Sequence, residues 1–529
     1  MYYMMLGVIF IPLTLAILIY IVNNKTFNGS IFLFQLFQTY LVMRMAKDVL
    51  QGGLQSYVIG HWPMGIGIEL RLDTLSLLFI VLTTIGFWAT YLYCWEEKQK
   101  DHKYLFFVTF LQGSLVALFL VYDLFSMFVL LELVTILGSI LITYKKDGAA
   151  VKAGLFYLLY NSFGMTIFLI GVIIMYIASG SLNMTVVGEV TQGLSQQAHI
   201  RFAVACFFVA FSLKSALVPV YSWLPLAHGS APSSVSALLS GLMVKIGLYG
   251  FMRLSAVFSA PFLYQSLSVV GMMTALLGVG FAIFQTDIKR LFAYSTISQV
   301  GLMVVGISSG TQIGIYGGLL HMVNHFSFKT LLFLCAGILI SNTGERNVKK
   351  IRGVMASNPF LGIALIIGIL GITGAPFFNA SISKHIIKKS VAGSISGYLL
   401  YVVNFGTMVS FIKFGQVLRG KSIYKYQIEQ VKLMSIGLMA SLVLAMFPIG
   451  LSTVIRQFHI DFFASFNFAK EIVIYLVMGF LAWHFYDKVV NKYHHWVAEK
   501  GPKVFGFQAS NGLLMAYFLV IILFTRYRL

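Results

Sequence analysis

Charged side chains are scarce in this chain. Asp, Glu, Lys and Arg make up 10% of its 529 residues, while 59% are hydrophobic. Too little polar surface remains to cover a water-soluble globule, so that class is excluded and an all-α polytopic membrane protein is indicated. Acid is the rarer sign, with 17 Asp and Glu against 37 Lys and Arg and a net charge of +20. The basic residues lie in short loops between apolar runs, which points to anionic lipid headgroups and away from nucleic acid. The three cysteines, Cys94, Cys206 and Cys335, stand far apart in or beside apolar runs. They lack the spacing of a disulfide framework or a metal site. Proline is also infrequent, with 10 residues, so a proline within an apolar run marks an interrupted helix.

What is abundant is long apolar sequence. Stretches able to cross a ~30 Å hydrocarbon core begin at 4–22 and recur through 510–526, about sixteen in all. The first lacks a basic n-region and a small-residue cleavage site, and reads as a retained span rather than a signal peptide. Loops carrying Lys98 and Lys100, Lys145 and Lys146, Lys289 and Arg290, Arg346 and Lys349, Arg419 and Lys421, and Lys488 and Lys492 are more basic than the alternate set. This asymmetry predicts that they are cytoplasmic and that both termini lie outside. The connection QGGLQSYVIGHWPMGIGIELRLDTLS alternates apolar and polar residues around Gly65 to Leu72, which predicts a small β-hairpin cap, with an unstructured loop as the alternative. Residues 485–508 place Phe485, Val489, Val490, Tyr493 and Val497 on one helical face, which predicts a short interfacial helix or else a basic loop.

The chemistry is expected where ionisable groups fall inside these spans. Residues 211 to 254 read FSLKSALVPVYSWLPLAHGSAPSSVSALLSGLMVKIGLYGFMRL. Lys214 precedes a helix broken by Pro219 and Pro225, and Lys245 lies about halfway along the next span. A charge at that depth costs roughly 2.5–3.5 kcal/mol on insertion scales, so each lysine implies a hydrated path or a partner, unless it snorkels to an interface. Glu132 is the one carboxylate near the middle of an apolar span and the natural partner of Lys214. If they face each other, pairing holds the lysine charged and separation releases its proton, which would make a switch. His321, His325 and Lys329 recur every four residues along one helical face, the spacing of a proton relay through intervening waters. Metal binding by the two histidines is the weaker reading, because no nearby Cys or carboxylate completes a ligand set. Gly371, Gly374 and Pro376 interrupt a later span before Lys384, as Pro219 does after Lys214. Lys384 is either a buried group of the same kind or an interfacial residue beside Lys388 and Lys389. Two interrupted helices five spans apart fit an internal repeat, and an odd number of spans inverts the second copy.

At these residues a resemblance appears. KSALVPVYSWLPLAHGSAPSSVSALLSGLMVKIGLYG, together with DIKRLFAYSTISQVGLM, HMVNHFSFKTLLFLCAG and VIGHWPMGIGIELRLDTLS, is similar to the antiporter-like membrane subunits shared by respiratory NADH dehydrogenase, multisubunit Na+/H+ antiporters and membrane-bound hydrogenases. The similarity runs over roughly residues 55–390. It implies about fourteen core helices with two inverted five-helix repeats and broken helices 7 and 12, to which about two C-terminal helices are added here. The implied division is 1–102 for the N-terminal helices and hairpin, 103–256 and 262–418 for the repeats, and 419–529 for the C-terminal helices. By the same resemblance Glu132 and Lys214 are the modulating pair, Lys245, His321, His325 and Lys329 the connectors, and Lys384 lies near the exit. Relatives often carry an acid where this chain has Leu226, and many NADH dehydrogenase relatives have His in place of Tyr221. Tyr221 and the SALLSGLMVKIGLYG run are closer to the antiporter and hydrogenase branches. No cofactor motif is present, so redox chemistry would belong to partner subunits.

The resulting expectation is a proton-translocating subunit of a multisubunit Na+/H+ antiporter, with protons and also Na+ as candidate ions and other membrane subunits as partners. The alternatives are the pump subunit of a respiratory NADH dehydrogenase or hydrogenase, and a membrane scaffold for ion-driven uptake. The expected location is a prokaryotic-type cytoplasmic membrane.

Overall fold

The computed structural model describes residues 1–63, 65–194, 197–258, 261–421, 424, 426, 428–458, 468–492 and 506–527. The chain passes back and forth as α1 (Tyr2–Val22), α2 (Ser30–Gly52), α3 (Thr74–Lys98), α4 (His102–Leu120), α5 (Leu124–Thr143) and α6 (Gly148–Ser179). The half-helices α7 (Ala198–Lys214) and α8 (Trp223–Ser230) follow, then α9 (Ser233–Gly241) and α10 (Ile246–Val257). Next come α11 (Pro261–Phe284), α12 (Ile288–Ile307), α13 (Gln312–Thr343), the half-helices α14 (Pro359–Thr373) and α15 (Asn379–Ser390), and α16 (Ile395–Gly415). The C-terminal part is α17 (Gln430–Phe458), α18 (Phe468–Phe485) and α19 (Phe507–Tyr527). Among the described residues, 12 helical segments are long and apolar enough to cross a membrane. With α2, the pairs α7/α8 and α14/α15, and α19, the layout matches the predicted core and its C-terminal additions.

The scarce acids have a structural use. Asp73, Asp101, Asp123, Asp147 and Asp287 each cap a helix by accepting a backbone N–H three residues on. Each satisfies a donor that the first turn leaves unpaired.

The predicted hairpin is present as β1 (Gln55–Val58) antiparallel to β2 (Glu69–Leu72), with Gln55 opposite Leu72. It defines one face of the molecule and is pinned there by Tyr122 N–H to Glu69 O at 2.8 Å and Asn183 Nδ2 to Glu69 Oε2 at 2.5 Å. Just beyond it, Arg253 at the end of α10 forks onto the Asp73 carboxylate and donates to Ser76 Oγ at 2.7 Å. The basic loops named above lie on the opposite face.

The internal repeat is visible bond by bond. Between α5 and the end of α6, Leu124 N–H donates to Leu182 O at 2.9 Å and Met184 N–H to Tyr122 O at 3.2 Å. Between α12 and the end of α13, Ile288 N–H donates to Arg346 O at 3.0 Å and Val348 N–H to Thr286 O at 2.9 Å. Asp123 pairs with Asn183 in an isolated bridge, and Asp287 with Asn347. Every residue of the second clasp stands the same distance along the chain from its counterpart in the first. The α4–α10 and α11–α16 units each cross five times, so the first clasp lies on the hairpin face and the second on the opposite face, as an inverted repeat requires.

The two C-terminal helices return to the interrupted ones. Tyr475 of α18 shares a hydrogen bond between its hydroxyl and Thr373 Oγ1 at the end of α14, at 2.9 Å. Tyr517 of α19 does the same with Ser212 Oγ near the end of α7, at 3.0 Å, and Ser510 Oγ lies 2.8 Å from Ser222 Oγ. Of the predicted interfacial helix, α18 continues through a π-helical turn at Tyr486–Val490. Residues 493–505 lie outside the described residues.

Packing is tight where α10 crosses the end of α7 and the start of the break that follows it. A Cβ at Gly247 would lie 2.2 Å from Ser215 Oγ and 2.5 Å from Phe211 O. Gly247→Ala should therefore destabilise the purified protein by about 1–3 kcal/mol through overpacking, read as a lowered midpoint in a detergent thermal melt. An unchanged midpoint would refute this close approach.

Candidate functional site

The site is built on interruptions. Lys214 ends α7, and the chain runs without helix from Ser215 until α8 begins at Trp223. Pro219 lies in that break. Pro225, read from sequence as a second breaker, instead occupies the first turn of α8, where its missing N–H has no intrahelical acceptor to lose. Trp223 Nε1 donates to Leu213 O at 2.9 Å and covers a carbonyl freed by the break.

Lys214 is buried, and its Nζ reaches α5, where it donates to Thr135 Oγ1 and stands 3.5 Å from Leu131 O. Glu132 lies between those two residues in sequence but is turned about 100° around the helix from Leu131. Its Oε2 accepts instead from Ser162 Oγ of α6 at 2.9 Å. The face-to-face ion pair anticipated for Glu132 and Lys214 is therefore not formed in this structure.

A third interruption has no proline to announce it. α9 stops at Gly241, Leu242 leaves the helical region at φ −123° and ψ −56°, and a 3-10 turn over Met243–Lys245 leads into α10. The turn frees the carbonyls of Ser240 and Gly241, and Lys245 Nζ donates to them at 2.9 and 2.6 Å. The third contact of Lys245 Nζ is His325 Nδ1 of α13, at 2.9 Å. An ammonium has three donors and no acceptor, so all of its protons are used here only if His325 presents a lone pair at Nδ1 and carries its proton on Nε2.

On α13, His321, His325 and Lys329 are each fully buried at 0% exposure. His321 lies 2.9 Å through Nδ1 from Ser383 Oγ of α15 and 3.0 Å through Nε2 from Gln299 Oε1 of α12. Lys329 donates to Phe292 O at 2.9 Å and Ser295 Oγ at 2.5 Å, with its ammonium over the Phe292 ring. Lys384 follows the second interruption, where α14 ends at Thr373 and Gly374 adopts φ 75° and ψ 40°. Its Nζ crosses the break to Ile372 O at 2.8 Å, one of the carbonyls the break leaves without an intrahelical donor. Gly374 is needed twice, for its left-handed backbone and because a Cβ would lie 3.1 Å from Lys384 Cδ. Pro376 sits within the non-helical link before α15.

Reasoning from sequence missed three buried cations or their relatives. His228 of α8 is fully buried, stacked on Phe333 with ring centroids 4.5 Å apart, and neither ring nitrogen has a hydrogen-bond partner. As a lone histidine between Ala227 and Gly229 it carries no spacing signal that singles it out. Lys289 donates to Ala231 O at 2.7 Å, and Lys413 caps the end of α11 through the carbonyls of Ala282, Ile283 and Gln285 at 3.1, 2.6 and 2.5 Å. Lys289 reads from sequence as one of the basic loop charges, and Lys413, near a span end, carries no signal of its burial.

Comparison with known proteins agrees with this architecture. The chain is 31% identical over 347 residues, 64% of its length and 70% of the relative's, to the D-type subunit of a Na(+)/H(+) antiporter from Alkalihalophilus pseudofirmus. Among solved structures it is similar in fold to a chain of the membrane-bound sulfane sulfur reductase, an archaeal respiratory membrane complex, with a TM-score of 0.80 at 24% identity covering 85% of this chain and 95% of that one. It is likewise similar to a chain of the Mrp complex from Dietzia sp. DQ12-45-1b, with a TM-score of 0.79 at 20% identity covering 92% and 98%. The family described as NADH:quinone oxidoreductase/Mrp antiporter, transmembrane, matches residues 121–412, more than half of the chain and every interruption described above, and the chain belongs to that family.

Proposed function

We propose that this chain is the proton-translocating membrane subunit of a multisubunit Na+/H+ antiporter or a closely related complex. The observation that carries the reading is the direct contact of Lys245 Nζ with His325 Nδ1 at 2.9 Å, fully buried and between two broken helices. A proton can pass along that single hydrogen bond, leaving a neutral amine and an imidazolium. The imidazolium then gives up its Nε2 proton, and no described side chain hydrogen-bonds that nitrogen. Ser383 links His321 to the helix that carries Lys384, so the groups extend from the first break toward the second. Intervening waters would span the remaining gaps, since polar groups in a buried row need such partners. Glu132 biases Lys214 from its place on α5, and His228 extends the row toward the basic face. Na+ is a second candidate cargo of the complex, and the subunits that move it are its partners.

The basic loops orient the chain with the hairpin face and N-terminus outside a prokaryotic-type cytoplasmic membrane. The proposed organisation keeps the divisions at 102, 256, 262 and 418. A second reading, the pump subunit of a redox-driven complex, draws on likeness of fold to the sulfane sulfur reductase complex and to respiratory complex I from Thermus thermophilus, the latter at a TM-score of 0.74. The test is Lys214→Ala in the intact complex, reconstituted in vesicles with a pH-sensitive dye. We expect proton flux to fall at least about tenfold with assembly retained. Wild-type flux would refute the transport reading and favour a scaffold.

A further inference from the structure

α18 lies outside the residues matched by the family, yet it brings a carboxylate to the second interrupted helix. Glu471 Oε1 stands 3.4 Å from His385 Nδ1 and 3.5 Å from Lys388 Nζ, both on α15. These separations exceed the ~2.7–2.9 Å of a tight charge-assisted bond, so the carboxylate is shared between an imidazole and an ammonium and committed to neither. The trio sits between two cavities. An inner one of about 70 Å³ reaches Lys384 and is lined also by Thr373, Gly374, Glu471 and Tyr475. An outer one of about 380 Å³ is lined by Lys389, Tyr398 and Gly397 near the end of α15 on the hairpin face. His385, Lys388 and Tyr401 line both. The inner cavity has a largely apolar wall, but the polar ends of Lys384, Lys388, Glu471 and Thr373 line it, and its volume exceeds the ~15 Å³ that one water requires.

We propose that Glu471, His385 and Lys388 form the gate through which buried Lys384 exchanges protons with the hairpin side. This rests on the transport reading above and adds to it a site on a helix that the family match does not include. The Lys384 ammonium passes a proton through water in the inner cavity to the Glu471 carboxylate, leaving an amine and a neutral carboxylic acid. The neutral acid no longer attracts His385 and Lys388, and the two sides of the gate separate. With the gate open the acid yields its proton to water entering from the outer cavity, and the regenerated carboxylate draws Lys388 and His385 back. Lys384 then takes up a proton from the buried row on its inner side, so each cycle carries one proton across and returns every group to its starting charge. The titratable groups that share the inner cavity with Glu471 are Lys384, His385 and Lys388 of α15, Tyr401 of α16 and Tyr475 of its own helix, while Lys389 and Tyr398 face the outer cavity. Lys388 Nζ also lies 5.1 Å over the Tyr401 ring.

The test compares variants of the intact complex in vesicles, with proton flux and subunit assembly both measured. Glu471→Gln should assemble and lose flux about tenfold or more, while Glu471→Asp keeps most of it. His385→Gln should slow flux as well, and it serves as the deciding variant if Glu471→Gln does not assemble. The gate is overturned if Gln at 471 and at 385 both leave flux unchanged while Lys214→Ala has lost it. It is equally overturned if Asp and Gln at 471 reduce assembly and flux together, the mark of a purely structural contact. Full flux in Lys214→Ala would instead remove the underlying transport reading.

Discussion

Replacing Lys245 with methionine should stop proton movement, lowering flux in reconstituted vesicles by roughly 10². Methionine has similar length and no charge, so the 3-10 turn and its neighbours keep their shape while the carrier is lost. Some stability is forfeited too. Ser240 O and Gly241 O lose their donor, at about 1–3 kcal/mol each where no water replaces it. The informative companion is Lys245→Arg. Arginine keeps the positive charge but does not release its proton, so it should be nearly as inactive as methionine. Wild-type flux in the arginine variant would show that Lys245 supplies a fixed charge and carries no proton.

Asp73→Ala should cost the folded protein about 3–5 kcal/mol, because Arg253 stays buried without its counter-charge. The same change removes the cap of α3, where Ser76 N–H donates to Asp73 Oδ1 at 2.8 Å. The pH dependence has a definite sign. Burial alone would raise the Asp73 carboxyl, but the hydrogen bonds and charge of Arg253 outweigh it and hold the group below its ordinary value of 3.8. Its contribution is therefore complete above the unfolded value, near 3.9, and is lost as pH falls through the lower folded value. Thermal melts in detergent should show the native protein losing stability below about pH 4 and Asp73→Asn losing less over that range. Parallel pH curves for the two proteins would overturn the assignment.

Much of this was legible in the sequence for identifiable reasons. Apolar runs of membrane length have few other uses, Pro219 and Gly374 mark breaks that any helix must respect, and a four-residue spacing puts His321, His325 and Lys329 on one face. What stayed hidden depended on rotation and on distant contacts. A turn of one residue around α5 decides whether Glu132 meets Lys214 or Ser162. The interruption at Lys245 has no proline, and only the carbonyls of Ser240 and Gly241 reveal what the lysine is for. His228 sits in a half-helix only eight residues long, too short for a periodic pattern to single it out. Glu471 is 83 residues from Lys388, and no local pattern links them.

The tyrosines of the last two helices have a mechanical consequence. Tyr475 and Tyr517 hold hydroxyls at corresponding points of the two halves, and both belong to one continuous tail. Each tyrosine is a latch on one of two antiparallel levers. A swing of either interrupted helix must first break the hydroxyl contact its tyrosine makes, so each half carries a restraint supplied from outside the repeat.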